Sequence, residues 1–245
     1  MLGTLINVGT VLLGGVTGLL AGARLPEKVH QGIMSVLGLF TFAFGIQLFM
    51  KTQNPIIVLL ALMLGLLIGE WARIESALES FGGWLERRVG ITQEAQADPE
   101  NGLDTQQRFV RGFVAASLLF CVGPMAILGS IQDGLTGNYQ TLAIKSIMDG
   151  FAAMAFASSL GIGVLFSALS VFLYQGAITL AAAQIQGALS TAMMNEMTAA
   201  GGVMMCAIAV SSLLNIRPIR VGNLLPALLI APLLVLLFQS LGIAA

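Results

Sequence analysis

The chain has 245 residues, 57 % of them hydrophobic and 9 % charged, and its mean hydropathy is +0.91. A soluble domain of this size carries roughly a quarter charged residues, so a water-soluble globule is excluded. The formal net charge of −1 offers no basic field for nucleic acid. One histidine, His30, and two isolated cysteines, Cys121 and Cys206, leave no Ser-His-Asp or Cys-His arrangement and no metal-ligand spacing, and no P-loop, His-Glu-x-x-His or Gly-x-Ser-x-Gly string occurs. The chain is therefore read as a non-enzyme without a cofactor. Its expected partners are a lipid bilayer and a small ion or polar solute.

Apolar windows of about twenty residues match a hydrocarbon core of about 30 Å at 1.5 Å per residue. They predict an all-α polytopic membrane protein with eight spans, at 2–23, 31–50, 55–71, 110–131, 142–160, 162–182, 199–216 and 223–243. The first window ends in Ala21-Gly22-Ala23 like a signal peptide, but its cations, Arg24 and Lys28, follow the apolar run. A signal peptide has them in front, so this window is read as a retained helix. Gly14, Gly18 and Gly22 on it, and Gly65 and Gly69 on the third, have the spacing of close helix packing. Between residues 146 and 195 the only charge is Asp149. That length demands two passes, and Gly161-Ile162-Gly163 is the break between them.

The hydrophilic segment 72–109 divides the chain into 1–71 with three spans and 110–245 with five. Ile74, Leu78, Phe81, Leu85 and Val89 recur at helical spacing against Glu75, Glu79, Glu86 and Arg87, with Trp71 and Trp84 at the borders. This predicts a helix lying on the membrane surface. Thr92–Gln107, with Pro99 and Gly102, reads as a polar connector.

Cations fix the expected orientation. With the N-terminus outside, the inner segments hold Arg24, Lys28, Arg73, Arg87, Arg88, Arg108, Arg111, Arg217 and Arg220, and the outer ones Lys51 alone. An even number of spans between Arg111 and Arg217 satisfies this bias and places both termini outside. Leu5–Leu13 aligns without a gap on Leu165–Leu173, Gly32-Ile33-Met34 faces Gly202-Val203-Met204, and Pro55 falls near Pro226. Spans one to three would then be an inverted repeat of spans six to eight around a central hairpin of spans four and five, an arrangement found in secondary transporters.

Charges inside the hydrocarbon are functional hypotheses by default. Lys145 and Asp149 are four residues apart and share a helix face, so they are expected to pair, with Ser146 beside them. Gly123 and Pro124 should interrupt span four and free carbonyl oxygens near Cys121. Asp133 is expected at a solvated helix end, and Glu70 is expected as an interfacial charge. Asn7, Gln47, Gln175 and Asn215 fall inside spans, where amides hydrogen-bond between helices. The twelve methionines form no copper-type cluster.

Several strings together resemble the bacterial YqgA/YdfK family of multi-pass inner-membrane proteins. They are Leu12-Leu13-Gly14-Gly15-Val16, Leu25-Pro26-Glu27, Leu67-Ile68-Gly69-Glu70, Leu119-Phe120-Cys121, the run Gly129-Ser130-Ile131-x-Asp133-Gly134-Leu135-x-Gly137, Lys145-Ser146, Asp149, Phe156-Ala157 with Leu160-Gly161, and Asn223-Leu224-Leu225-Pro226-Ala227-Leu228. Asn138 stands where the family pattern suggests an aspartate. The resemblance implies a multi-pass protein of the bacterial cytoplasmic membrane and, at most, a transport role. The expected function is a transporter or channel, as a homo-oligomer, for a small ion or polar solute. Asp149 would be its proton or cation site, Lys145 the counter-charge, and Asp133 the mouth. The competing expectation is a membrane scaffold that docks a partner through 72–109.

Overall fold

The computed structural model describes residues 1–22, 26–89, 105–122, 124–186 and 189–242, and among them no strand occurs. In chain order the helices are α1 (Leu2–Gly22), α2 (Glu27–Phe49), α3 (Pro55–Ala72), α4 (Ile74–Val89), α5 (Thr105–Val122), α6 (Pro124–Thr136), α7 (Gln140–Leu160), α8 (Gly163–Leu180), α9 (Ala182–Gln186), α10 (Thr191–Ile208) and α11 (Ala227–Ser240). A π-helical turn, Ala209–Leu213, continues α10, and a 3₁₀ turn, Val221–Leu224, precedes α11.

Local chemistry sets the boundaries. Asn54 caps α3 by accepting from the Ile56 amide at 3.2 Å, and Pro55 follows at the first helical position. Arg73 ends α3 in the left-handed region at φ 52° and turns the chain directly into α4. Gly161, at φ 80°, separates α7 from α8, where a side chain would be strained. The expected break between spans five and six is thus present at the expected residues.

Among the described residues, six helical segments are long and apolar enough to cross a membrane: Leu2–Gly22, Gln31–Phe49, Pro55–Ala72, Gly163–Leu180, Thr191–Leu213 and Val221–Ser240. The pair α5 and α6 adds a seventh if it is one broken span, bent by 61°. Pro124 opens α6 at this bend, because proline supplies no amide to continue α5. Gly123 lies outside the described residues. Helix α7 has 21 residues but is more polar, with Lys145, Asp149 and three serines. Outward faces carry exposed Leu13, Leu20, Val36, Leu67, Leu180 and Leu229, the side chains a bilayer solvates.

Two boundaries differ from the sequence expectation. Span seven, expected at 199–216, begins eight residues earlier at Thr191, with Ser190 Oγ accepting from the Met193 amide at 3.3 Å. Asn195-Glu196 depresses the hydropathy of that stretch, yet Glu196 is fully buried. The last span, expected at 223–243, is found at Val221–Ser240, where the 3₁₀ turn opens it before α11. Of the expected connector, Thr105–Gln107 belongs to α5, and 92–104 lies outside the described residues.

The bundle is organised by close helix approaches. Helices α1 and α7 run parallel: a Cβ on Gly14 would strike the Gly150 carbonyl, one on Gly18 the Met154 carbonyl, and one on Gly22 would sit 2.6 Å from the Ser158 oxygen. The glycine stripe therefore serves packing within the chain. Three antiparallel pairs complete the frame. Gly15 of α1 meets Leu165 of α8, Gly45 of α2 meets Gly202 of α10, and Gly65 and Gly69 of α3 meet Ala227 and Asn223. Helix α4 packs on the first half of α5, with Phe81 and Phe113 rings 5.9 Å apart, and leaves Trp84 exposed.

Candidate functional site

The i,i+4 spacing on α7 brings Lys145 and Asp149 together, as the sequence predicts. Lys145 Nζ donates to Asp149 Oδ2, and Asn7 Nδ2 of α1 donates to the same oxygen at 2.9 Å. Lys145 is 5 % exposed and Asp149 8 %. Two charges so enclosed hold each other in place, since removing either leaves the other unpaired in a low dielectric. Ser146 turns its hydroxyl to the Leu142 carbonyl at 2.6 Å, so it satisfies its own helix.

Lys145 and Asp149 form part of the wall of a cavity of about 480 Å³ between α2, α6 and α7. The remaining wall is largely apolar, with Leu37, Phe40, Phe44, Met125 and Phe156, relieved by Thr41, Gln47 and Lys51. The cavity is open on one side, where Phe40, Met125 and Phe151 are exposed, and its volume and its mixture of apolar wall with a few fixed polar groups are those of small-molecule sites. Gln47 is exposed and faces this space. Cys121 is half-buried on α5 with a free thiol.

Asp133 corrects the expectation of a solvated helix end. It is 4 % exposed and accepts from the Gly3 amide at 3.0 Å and from the Met1 amine at 3.0 Å. The reason is placement: the first turn of α1, with its free amides, docks onto α6 beside this carboxylate. Asn215 also departs from its expected place in a span. It is exposed at φ 52° where the π-turn exits, and its Oδ1 accepts from Arg111 Nη2 at 3.3 Å. Gln175 is fully buried on α8, and neither of its amide atoms has a hydrogen-bond partner.

Glu70 is exposed near the end of α3, and both its oxygens accept from Arg220 Nη1 at 3.1 Å. One turn on, Glu75 Oε2 accepts from the Gly222 amide while the Glu75 amide donates to Asn223 Oδ1 at 2.7 Å. Burial pushes the Glu75 carboxyl above the ordinary glutamate range, a rise that Glu79 and Glu70 reinforce and that the Gly222 amide and Arg220 oppose. At the same end Arg111 Nη2 donates to the Ser211 and Ser212 carbonyls at 3.2 and 2.6 Å. The π-turn frees those carbonyls, and the guanidinium satisfies them.

Sequence reasoning missed Glu196. Its carboxylate, 0 % exposed, accepts from Thr52 Oγ1 at 2.5 Å and from the Gln53 and Asn54 amides at 2.7 and 3.1 Å. It ties α10 to the loop between α2 and α3. The available signal was a lone acidic residue inside a helix with apolar neighbours, capped by Ser190.

Apolar helices of spanning length, buried charges in their midst and an arginine-rich end define a polytopic helical membrane protein. Residues 2–236 match the family described as protein of unknown function (DUF554), and the chain belongs to it. It is 34 % identical over 231 residues to the uncharacterized protein YqgA of Escherichia coli (strain K12), covering 94 % of each chain. It is 27 % identical over 247 residues to the uncharacterized membrane protein YdfK of Bacillus subtilis (strain 168), covering 99 % of each. No solved structure matches it.

Proposed function

We propose that the protein is a transporter or channel for a small ion or polar solute, crossing the bacterial cytoplasmic membrane eight times with both termini outside. In this reading α7 and the broken pair α5 and α6 each cross once. The observation that carries it is the cavity of about 480 Å³ whose apolar wall includes the enclosed Lys145–Asp149 pair. A purely structural bundle gains little from such a pair, because replacing buried ions by apolar groups is often neutral or stabilising. Asp149 is the charge a permeating cation or proton would meet, and Lys145 is its counter-charge.

Two further features support the reading. The helices an inverted repeat would relate, α1 with α8, α2 with α10 and α3 with α11, meet as antiparallel pairs, the relation that a two-fold axis in the membrane plane imposes. Arg111 and Arg220 gather at the end opposite Lys51 and Asp133, in line with a cytoplasmic face there.

Filling the cavity tests the pathway. Ala152 lines it beside Asp149, and Ala152→Phe should block uptake into proteoliposomes while the protein still elutes as a folded species. Unchanged uptake in that variant would remove the cavity from the pathway.

A further inference from the structure

Helices α1, α6, α7 and α8 meet at one level near Asp133. The Gly3 amide of α1 reaches Asp133 of α6. A Cβ on Gly134, the next residue of α6, would strike the Thr179 carbonyl of α8, and one on Gly129 would sit 2.8 Å from Leu142 of α7. Met1 Cε lies 3.5 Å from the Cβ position of Gly176 on α8. The inward faces at this level carry Thr4 and Asn7 on α1, Ser130 on α6, and Gln175 and Thr179 on α8.

All five side chains are buried, four of them at 0 % exposure and Thr179 at 5 %. Among the described residues, seven buried side-chain polar atoms lack a hydrogen-bond partner, and six belong to this group: Thr4 Oγ1, Asn7 Oδ1, Ser130 Oγ, Gln175 Oε1 and Nε2, and Thr179 Oγ1. Buried polar groups are otherwise almost always paired, and an exception calls for an ion or an ordered water. Five of the six atoms are oxygens. Two carboxylates flank them, and the hydrogen bonds each receives go to Oδ2: Asp133 from Gly3 and Met1, Asp149 from Asn7 and Lys145.

The three hydroxyls donate as well as accept and Gln175 Nε2 donates, so this set satisfies a water or, with its five oxygens turned inward, a cation; the salt dependence measured below separates the two. A hard cation is held by oxygens alone, taken from carbonyl, hydroxyl and carboxylate groups. Both carboxylates already meet a cationic group, so a second full charge at one point would lack compensation. That favours a monovalent ion.

We propose that Thr4, Asn7, Ser130, Gln175 and Thr179 form a buried site for a dehydrated alkali-metal cation of the sodium type. Asn7 connects it to the substrate cavity: Oδ1 faces the cation while Nδ2 holds Asp149. Filling the site fixes Asn7 and so the Asp149 carboxylate on the cavity wall. Its role as the coupling ion rests on the transport reading, but its occupancy does not.

The test uses the full-length protein purified in detergent, with binding of radioactive sodium ion and the thermal unfolding midpoint both measured against NaCl. Choline chloride keeps the ionic strength constant, and KCl and LiCl run in parallel. Saturable sodium binding is expected, with a midpoint that rises with NaCl and stays flat with choline. Thr4→Val and Gln175→Leu remove ligating oxygens, and each should weaken the apparent sodium affinity at least tenfold. Thr4→Val keeps the side chain's shape, so it remains informative if Gln175→Leu misfolds. Equal midpoints in all salts, without saturable sodium binding, would overturn the site and assign these oxygens to water. Neither readout requires flux: a protein that binds sodium but moves no solute keeps the site and refutes transport.

Discussion

Glu196 offers a quantitative check on how α10 is anchored. In Glu196→Leu the Thr52 hydroxyl and the Gln53 and Asn54 amides lose their acceptor. Each orphaned donor costs about 1–3 kcal/mol when buried. Thr52 and Asn54 are half-buried and Gln53 is exposed, so the lower end applies and the sum is about 3 kcal/mol. For a chain of this size that corresponds to a fall of about 6–12 °C in the thermal unfolding midpoint. Glu196→Gln separates charge from hydrogen bonding: one amide oxygen still accepts from both backbone groups, and Nε2 can donate to the Thr52 hydroxyl. Its fall should be about a third as large, because only the charge-assisted share of the bonds is lost. Circular dichroism at a helical wavelength, in one detergent and one salt, follows all three proteins. A Leu variant within about 2 °C of the parent would show that Glu196 does not hold the loop and would refute the reasoning.

Three further outcomes follow from the same geometry. Gly18→Val should be among the most damaging substitutions, since its Cβ would meet the Met154 carbonyl. Overpacking of this kind costs about 1–3 kcal/mol or more, and thermal unfolding should register it. Arg111→Ala should destabilise by about 1.5–3 kcal/mol, the range for hydrogen bonds to charged groups, and hydrogen exchange should rise at the π-turn 209–213 before it rises elsewhere. Glu75 sets a pH dependence. Its carboxyl is raised in the folded protein, so the folded state binds the proton more tightly than the unfolded one. The stability this confers is full below the unfolded value and is lost as pH rises through the raised folded value. Midpoints measured across that range should fall for the parent and lose this component in Glu75→Gln. An unchanged slope in the variant would exclude Glu75 as its source.

Much of the helical frame is readable from the sequence, because bilayer thickness translates directly into the length of an apolar window. The Lys145–Asp149 pair is legible for a similar reason: i,i+4 spacing on a helix fixes proximity without any tertiary information. The Gly161 break is equally local. What escapes is long-range. Glu196 finds its partners more than 140 residues away, and hydropathy counts it only as an interruption, which is why α10 is expected eight residues too late. Asp133 resembles a solvated helix end until the first turn of α1 docks beside it. Thr4, Ser130 and Thr179 are single hydroxyls in apolar helices, nearly neutral on any hydropathy scale. Their shared burial without partners emerges only once α1, α6 and α8 pack together. Arg111 registers in sequence as one cytoplasmic charge, whereas its partners are carbonyls that exist only because α10 unwinds.

The central claim is that a solute moves past Asp149. It is tested most directly by transient current on a solid-supported membrane, with the purified protein in liposomes and a panel of inorganic cations and amino acids. The account predicts a ligand-specific current in the parent that disappears in Asp149→Asn, while that variant still elutes from gel filtration as the parent does. The same current in both proteins, or none for any member of the panel from folded parent protein, would contradict it.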